Sequence, residues 1–203
     1  MIDVQKSDHG VWTVTLNRPN KANALTAGML GQLVEIMTAA QSARGLILTG
    51  RGKVFSAGAD LDEARAGLAV SPLWEELSAA VAALPCMTVV ALNGTLAGGA
   101  NGMALACDIR IAVPTAKVFY PVMKLGYLPQ PSDVTRMKTL IGPSRTKMVI
   151  AAGQKITAEE ALSWGLLDRI VADDALIASA EELLEHAVAA EPSLAAQILA
   201  GCN

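Results

Sequence analysis

The sequence predicts an α/β fold with largely parallel strand pairing, and two observations carry that expectation. Short apolar runs at 11–16, 45–50, 87–92 and 109–113 alternate with longer stretches of helical periodicity. Two turns of small residues, 56–60 and 96–102, each follow one of the buried strands and open toward a helix.

The elements follow in order. Val11–Leu16 (VWTVTL) has the residue types and alternation of a strand, entered through the turn Ser7-Asp8-His9-Gly10 and stopped by Asn17-Arg18-Pro19-Asn20. A helix is expected from about Thr26 to Gln41, with Thr26 as cap and Met29, Leu33, Ile36 and Met37 on one face. Gly45–Gly50 reads as a fully buried strand, and Arg51-Gly52-Lys53 turns the chain into Val54-Phe55-Ser56. A helix over Leu73–Leu84 ends at Pro85, and Met87–Leu92 is the next strand. After Asn93-Gly94 and the glycine-rich turn, a helix ends near Cys107 and a strand spans Ile109–Val113. Helices are expected near Asp133–Ile141 and Ser144–Ala152. Thr157-Ala158-Glu159-Glu160 is a capping box opening another. Ile170-Val171 is extended, and Leu176, Ala180, Leu184 and Val188 mark an amphipathic helix.

Composition removes several classes of function. A net charge of −3, with Lys and Arg scattered, lacks the basic face of a nucleic-acid binder. Residues 77–107 carry no charge, but Pro85, Asn93, Gly94, Gly98, Gly99 and Gly102 leave no apolar run of about 20 residues, so no membrane span is expected. The first residues lack the basic and apolar regions of a secretory signal. Cys86, Cys107 and Cys202 form no CxxC pair, and only His9 and His186 join them, so no metal site is expected. The chain reads as cytoplasmic.

The chemistry is expected at the turns Ser56-Ala57-Gly58-Ala59-Asp60 and Leu96-Ala97-Gly98-Gly99-Ala100-Asn101-Gly102. A turn leading into a helix leaves backbone N–H groups without intrahelical acceptors, and small residues let a ligand come close to them. Two such turns facing each other would hold a developing oxyanion. The alternative is that the glycines serve only tight strand–helix packing. A dinucleotide fingerprint is excluded, because Ala97 stands where GxGxxG needs glycine.

Several segments together resemble the crotonase (enoyl-CoA hydratase/isomerase) family. These are Asn17-Arg18-Pro19 with Asn23-Ala24-Leu25, Phe55–Leu61, Asn93-Gly94 through Gly98-Gly99 with Cys107-Asp108-Ile109-Arg110, Phe119 and Pro121 with Leu125-Gly126 and Pro129, and Thr157–Ala161 through Gly165-Leu166. They cover roughly residues 11–171, in the family's order. The resemblance implies a crotonase-like spiral of ββα units and an acyl-CoA thioester ligand, with no cofactor beyond its coenzyme A moiety. It places the oxyanion donors at the N–H groups of Ala59 and Gly99, and coenzyme A near Ala22, Ala24, Asp60 and Leu61. It also implies a homo-oligomer, a trimer or hexamer. Residues 1–190 would form the core and 191–203 the start of a shortened C-terminal helical region.

The departures from the family pattern matter equally. The positions of the two hydratase glutamates fall on Gly102 and Val122, which cannot titrate, and Asp108 and Asp133 are the only acids between Cys86 and Thr157. Asp133 has two readings, a helix N-cap or an acid of the site. Tyr127 and Tyr120 also have two, packing or proton donation. Ser56, Lys124, His9, His186 and Cys107 read as structural or solvated. The expected function is an enolate-stabilising enzyme of acyl-CoA thioesters without the paired-glutamate hydratase mechanism. The alternatives are a non-catalytic acyl-CoA-binding protein, or a subunit associating with a full-length crotonase.

Overall fold

The computed structural model describes residues 1–202, so Asn203, the last residue of the expected 191–203 region, lies outside the described residues. Among the described residues, ten strands form two sheets. The larger holds β1 (Ile2–Lys6), β2 (Val11–Leu16), β3 (Gly45–Gly50), β5 (Met87–Leu92), β7 (Ile109–Ala112) and β10 (Arg169–Ile170), in that spatial order. The smaller holds β4 (Val54–Ser56), β6 (Thr95–Ala97), β8 (Lys117–Phe119) and β9 (Ile156–Thr157). Pairing is parallel except at β1–β2 and β8–β9.

The connectivity is a repeating unit. β3 joins the large sheet and β4 the small one; β5 with β6, and β7 with β8, do the same. Because β4, β6 and β8 are parallel neighbours, the three turns that leave them emerge at one end of the small sheet. That stacking positions the site.

Helices cover the sheets: α1 (Ala27–Ala39), α2 (Leu61–Arg65), α3 (Leu73–Ala82), α4 (Asn101–Ala106), α5 (Val122–Leu125), α6 (Pro131–Ile150), α7 (Ala158–Trp164), α8 (Leu176–Ala189) and α9 (Pro192–Cys202). The core residues 46–48 and 89–92 are buried in succession, since α8 packs on β3 and β5 from one side. β2 instead alternates, burying Trp12, Val14 and Leu16. Thr26 caps α1 by accepting the Met29 N–H at 3.1 Å, and Thr157 and Glu160 close the expected capping box.

Two expected helices meet as α6, broken at Gly142, whose φ of 75° and ψ of 168° are non-helical just before Pro143. The start of α6 corrects one reading. The helix begins at Pro131, with Gln130 at the N-cap and no side-chain cap bond, so Asp133 is its third residue and not its cap. Leu61–Arg65 and the strands β1, β8 and β9 were not expected; each is short and lacks a sustained apolar period. α9 carries no buried residue, and no helix of the described residues is long and apolar enough to cross a membrane.

Candidate functional site

The motif residues 17–25 are scaffold. Asn23, fully buried with a left-handed φ of 53°, accepts the Arg18 N–H at 2.8 Å and donates to the carbonyls of Arg51 and Val54. Arg18 donates to the Ala24 carbonyl and to Asp60 at 2.8 Å. Its guanidinium holds the Asp60 carboxyl below the usual carboxylate range. Asp60 also caps α2 through the Asp62 N–H.

These contacts press residues 22–25 against the first turn. The Ala57 N–H donates to the Ala22 carbonyl, and Leu25 bridges Ala59 by donating to Gly58 O and accepting from Asp60 N–H. The bridge bypasses the Ala59 N–H, which has no acceptor among the described residues. Ser56 sets the turn, donating to Asn23 O and accepting the Gly58 N–H at 3.1 Å; its hydroxyl is fully engaged in structure.

The second turn abuts the first. Gly58 has a φ of +88°, and a Cβ there would stand 2.9 Å from the Ala97 carbonyl oxygen. The Gly99 N–H also has no acceptor among the described residues. Asn101, buried, braces this turn by donating to Gly98 O and to Phe119 O, which ties it to the third turn.

Ala59 and Gly99 both line a cavity of about 120 Å³, together with Trp74, Tyr120, Val122 and Tyr127. Leu61, 73% exposed, and Leu128, 84% exposed, stand on its apolar rim. Ala22, Ala24, Asp60, Gly102 and Asp133 are not on its wall. No carboxylate, histidine or cysteine lines it; its titratable side chains are Tyr120 and Tyr127. A larger groove of about 860 Å³ runs between α8 and the β1–β2 hairpin, but no residue of the turns at 56–60 and 96–102 lines it.

Trp74 is a wall residue that sequence reasoning missed, being one apolar position of an expected helix. Its ring lies against Gly99, where a Cβ would come within 2.9 Å, and its indole N–H donates to Leu68 O at 2.7 Å. Asp133 is buried, and its Oδ2 accepts from the Tyr120 hydroxyl at 2.8 Å. Burial, with a smaller push from Glu75, raises its carboxyl to about 7; the Tyr120 hydrogen bond and Arg136 oppose this. Burial and Asp133 likewise push the Tyr120 phenol well up. Cys107 is buried, with its thiol raised to about 12 mainly by burial, while His9, His186 and Lys124 are exposed. No group of three or more metal-ligating side chains occurs among the described residues.

A family model for enoyl-CoA hydratase/isomerase matches residues 6–202. The chain belongs to this family. YngF of Bacillus subtilis, a protein named for the same family, is 39% identical over 188 residues, spanning 88% of this chain and 72% of its own length. The 1,2-epoxyphenylacetyl-CoA isomerase of Escherichia coli is 32% identical, over 92% of this chain and 75% of its own length. The crystal structure of an enoyl-CoA hydratase from Bacillus anthracis superposes with a TM-score of 0.88 at 34% identity, covering 96% of this chain and 79% of that one. The crotonase fold expected from the motifs is therefore the fold of this protein, and the three stacked turns are its spiral's repeating ends.

Proposed function

We propose that the protein binds an acyl-CoA thioester with its carbonyl oxygen between the Ala59 and Gly99 N–H groups, and stabilises an enolate-like anion there. The observation that carries this reading is the pair of acceptor-free backbone donors on one apolar cavity, held by abutting turns. Fixed donors of this kind favour charge that develops during reaction, because they need no reorganisation. The family relatives named for CoA thioesters support the choice of ligand. Coenzyme A would run past Leu61 on the rim and along the segment of Ala22, Ala24 and Asp60. The reading calls on no cofactor beyond that moiety, and it retains the homo-oligomer that the family resemblance implies.

Paired-glutamate hydration does not fit this cavity, since Val122 is apolar and Gly102 lies off the wall. Isomerisation, decarboxylation or thioester cleavage through the same anion needs fewer positioned acids. A second reading, binding without chemistry, is favoured by one observation: the wall carries no acid, histidine or cysteine, only the phenols of Tyr120 and Tyr127.

Ala59→Pro is the test, because the Ala59 N–H takes no part in the fold's hydrogen bonds. With a folded variant, turnover through the enolate should fall by about 10²–10³-fold, the usual worth of one such donor. Unchanged turnover would place the anion elsewhere. Gly99 serves this purpose badly, since any side chain there meets Trp74.

A further inference from the structure

Asp133 is 0% exposed, and its Oδ1 has no hydrogen-bond partner among the described residues. A buried carboxylate oxygen without a partner is costly, so its retention calls for a reason. Its location supplies one. Oδ1 stands 2.7 Å from the point that a Cβ on residue 102 would occupy, so the carboxylate fills space that any side chain at that position would need. The other carboxylate oxygen binds Tyr120, which also lines the cavity. Gly102, Tyr120 and Asp133 thus form one arrangement. A missing side chain on α4 leaves room for a carboxylate from α6, and a phenol links that carboxylate to the cavity.

We propose that Tyr120 and Asp133 form a proton relay serving the cavity, with Tyr120 as the catalytic residue that meets the acyl chain and Asp133 as the positioning base behind it. The inference rests on the acyl-CoA reading above. In the forward step the Cα–H bond of the thioester breaks and its proton passes to the Tyr120 oxygen. The tyrosine's own proton moves at the same time to Asp133. The electron pair left on carbon becomes an enolate, whose oxygen faces the Ala59 and Gly99 N–H groups. Returning a proton to the α-carbon restores the substrate, with solvent hydrogen incorporated once the relay has exchanged. Returning it to the γ-carbon of an enoyl chain shifts the double bond. Neither outcome requires an oxidant, a reductant or a second substrate.

The surroundings suit these roles. Asp133 titrates near neutrality, where a base is most effective, while Tyr120 keeps its proton at rest. The charged groups facing Asp133 are Glu75 from α3 and Arg136 from the next turn of α6, which act in opposite directions. Ser132 joins them, donating to Glu75 at 3.0 Å and accepting from Arg136 at 3.0 Å.

The test is incorporation of deuterium from D2O at the α-carbon of butyryl-CoA, followed by mass spectrometry, with affinity measured by calorimetry on the same samples. In the wild type, exchange should rise with pH and level off above about 7, as Asp133 ionises. Tyr120→Phe, which keeps the ring, should bind the thioester and lose at least about 100-fold in exchange. Asp133→Asn should bind it too, exchange slowly and lose the pH step, which a purely structural role would leave in place. Full exchange in Tyr120→Phe, a pH step surviving in Asp133→Asn, or wild-type binding without exchange would each overturn the relay. Failure of the wild type to bind butyryl-CoA would instead overturn the acyl-CoA reading beneath it.

Discussion

Hydration of crotonyl-CoA by this protein should run about 10²–10⁴-fold slower, for each missing acid–base group, than in a family member that carries both glutamates. Water must lose a proton as it attacks the β-carbon while the α-carbon gains one. The proposed Tyr120–Asp133 relay would serve only one of these carbons, and Val122 has no ionisable group. A coupled spectrophotometric assay with crotonyl-CoA checks this, and turnover at ordinary hydratase rates would contradict it. The structure also decides how activity could be restored. Gly102→Glu is expected to fail, because even its Cβ would press to 2.7 Å on Asp133 Oδ1 and set a second carboxylate beside a buried one. Val122→Glu, on the cavity wall, is the single change expected to raise hydration.

Replacing Asp133 by Asn should make the protein more stable above neutral pH. The carboxyl is raised from its ordinary 3.8 to about 7, so between those values the folded state holds a proton that the unfolded state has released. Stability therefore falls as pH rises through that window and levels off above about 7. The shift corresponds to about 2–4 kcal/mol at pH 8, allowing for relaxation around the buried group. Asn keeps the size and an acceptor for Tyr120 but cannot ionise. Urea unfolding of both proteins from pH 5 to pH 8 should show the decline in the wild type alone. A parallel decline in Asp133→Asn would assign it to other groups.

Much of this architecture was legible because its signals are local. The buried strand at residues 45–50, the capping box at Thr157 and the interruption between the expected helices 133–141 and 144–152 each follow from neighbouring residues, and each stands where the pattern put it. The strands β8 and β9 were not legible, since strands of three and two residues exist only through their pairing with each other and with β6. The site divides the same way. Ala59 and Gly99 lie in turns with a sequence signature. Trp74 reaches Gly99 from a distant helix, and nothing in its own segment marks it. Asp133 read more readily as a cap because Pro131-Ser132-Asp133 has a capping composition; only the start of α6 at Pro131 turns it inward to Tyr120.

In the proposed complex two backbone N–H groups, those of Ala59 and Gly99, hold the thioester oxygen. A crystal structure with butyryl-CoA bound tests it most directly. The carbonyl oxygen should lie within about 2.7–3.1 Å of the nitrogens of both Ala59 and Gly99, with the acyl chain directed toward Tyr120. An oxygen bonded to neither nitrogen, or a thioester seated outside the cavity beneath Trp74, would contradict the account.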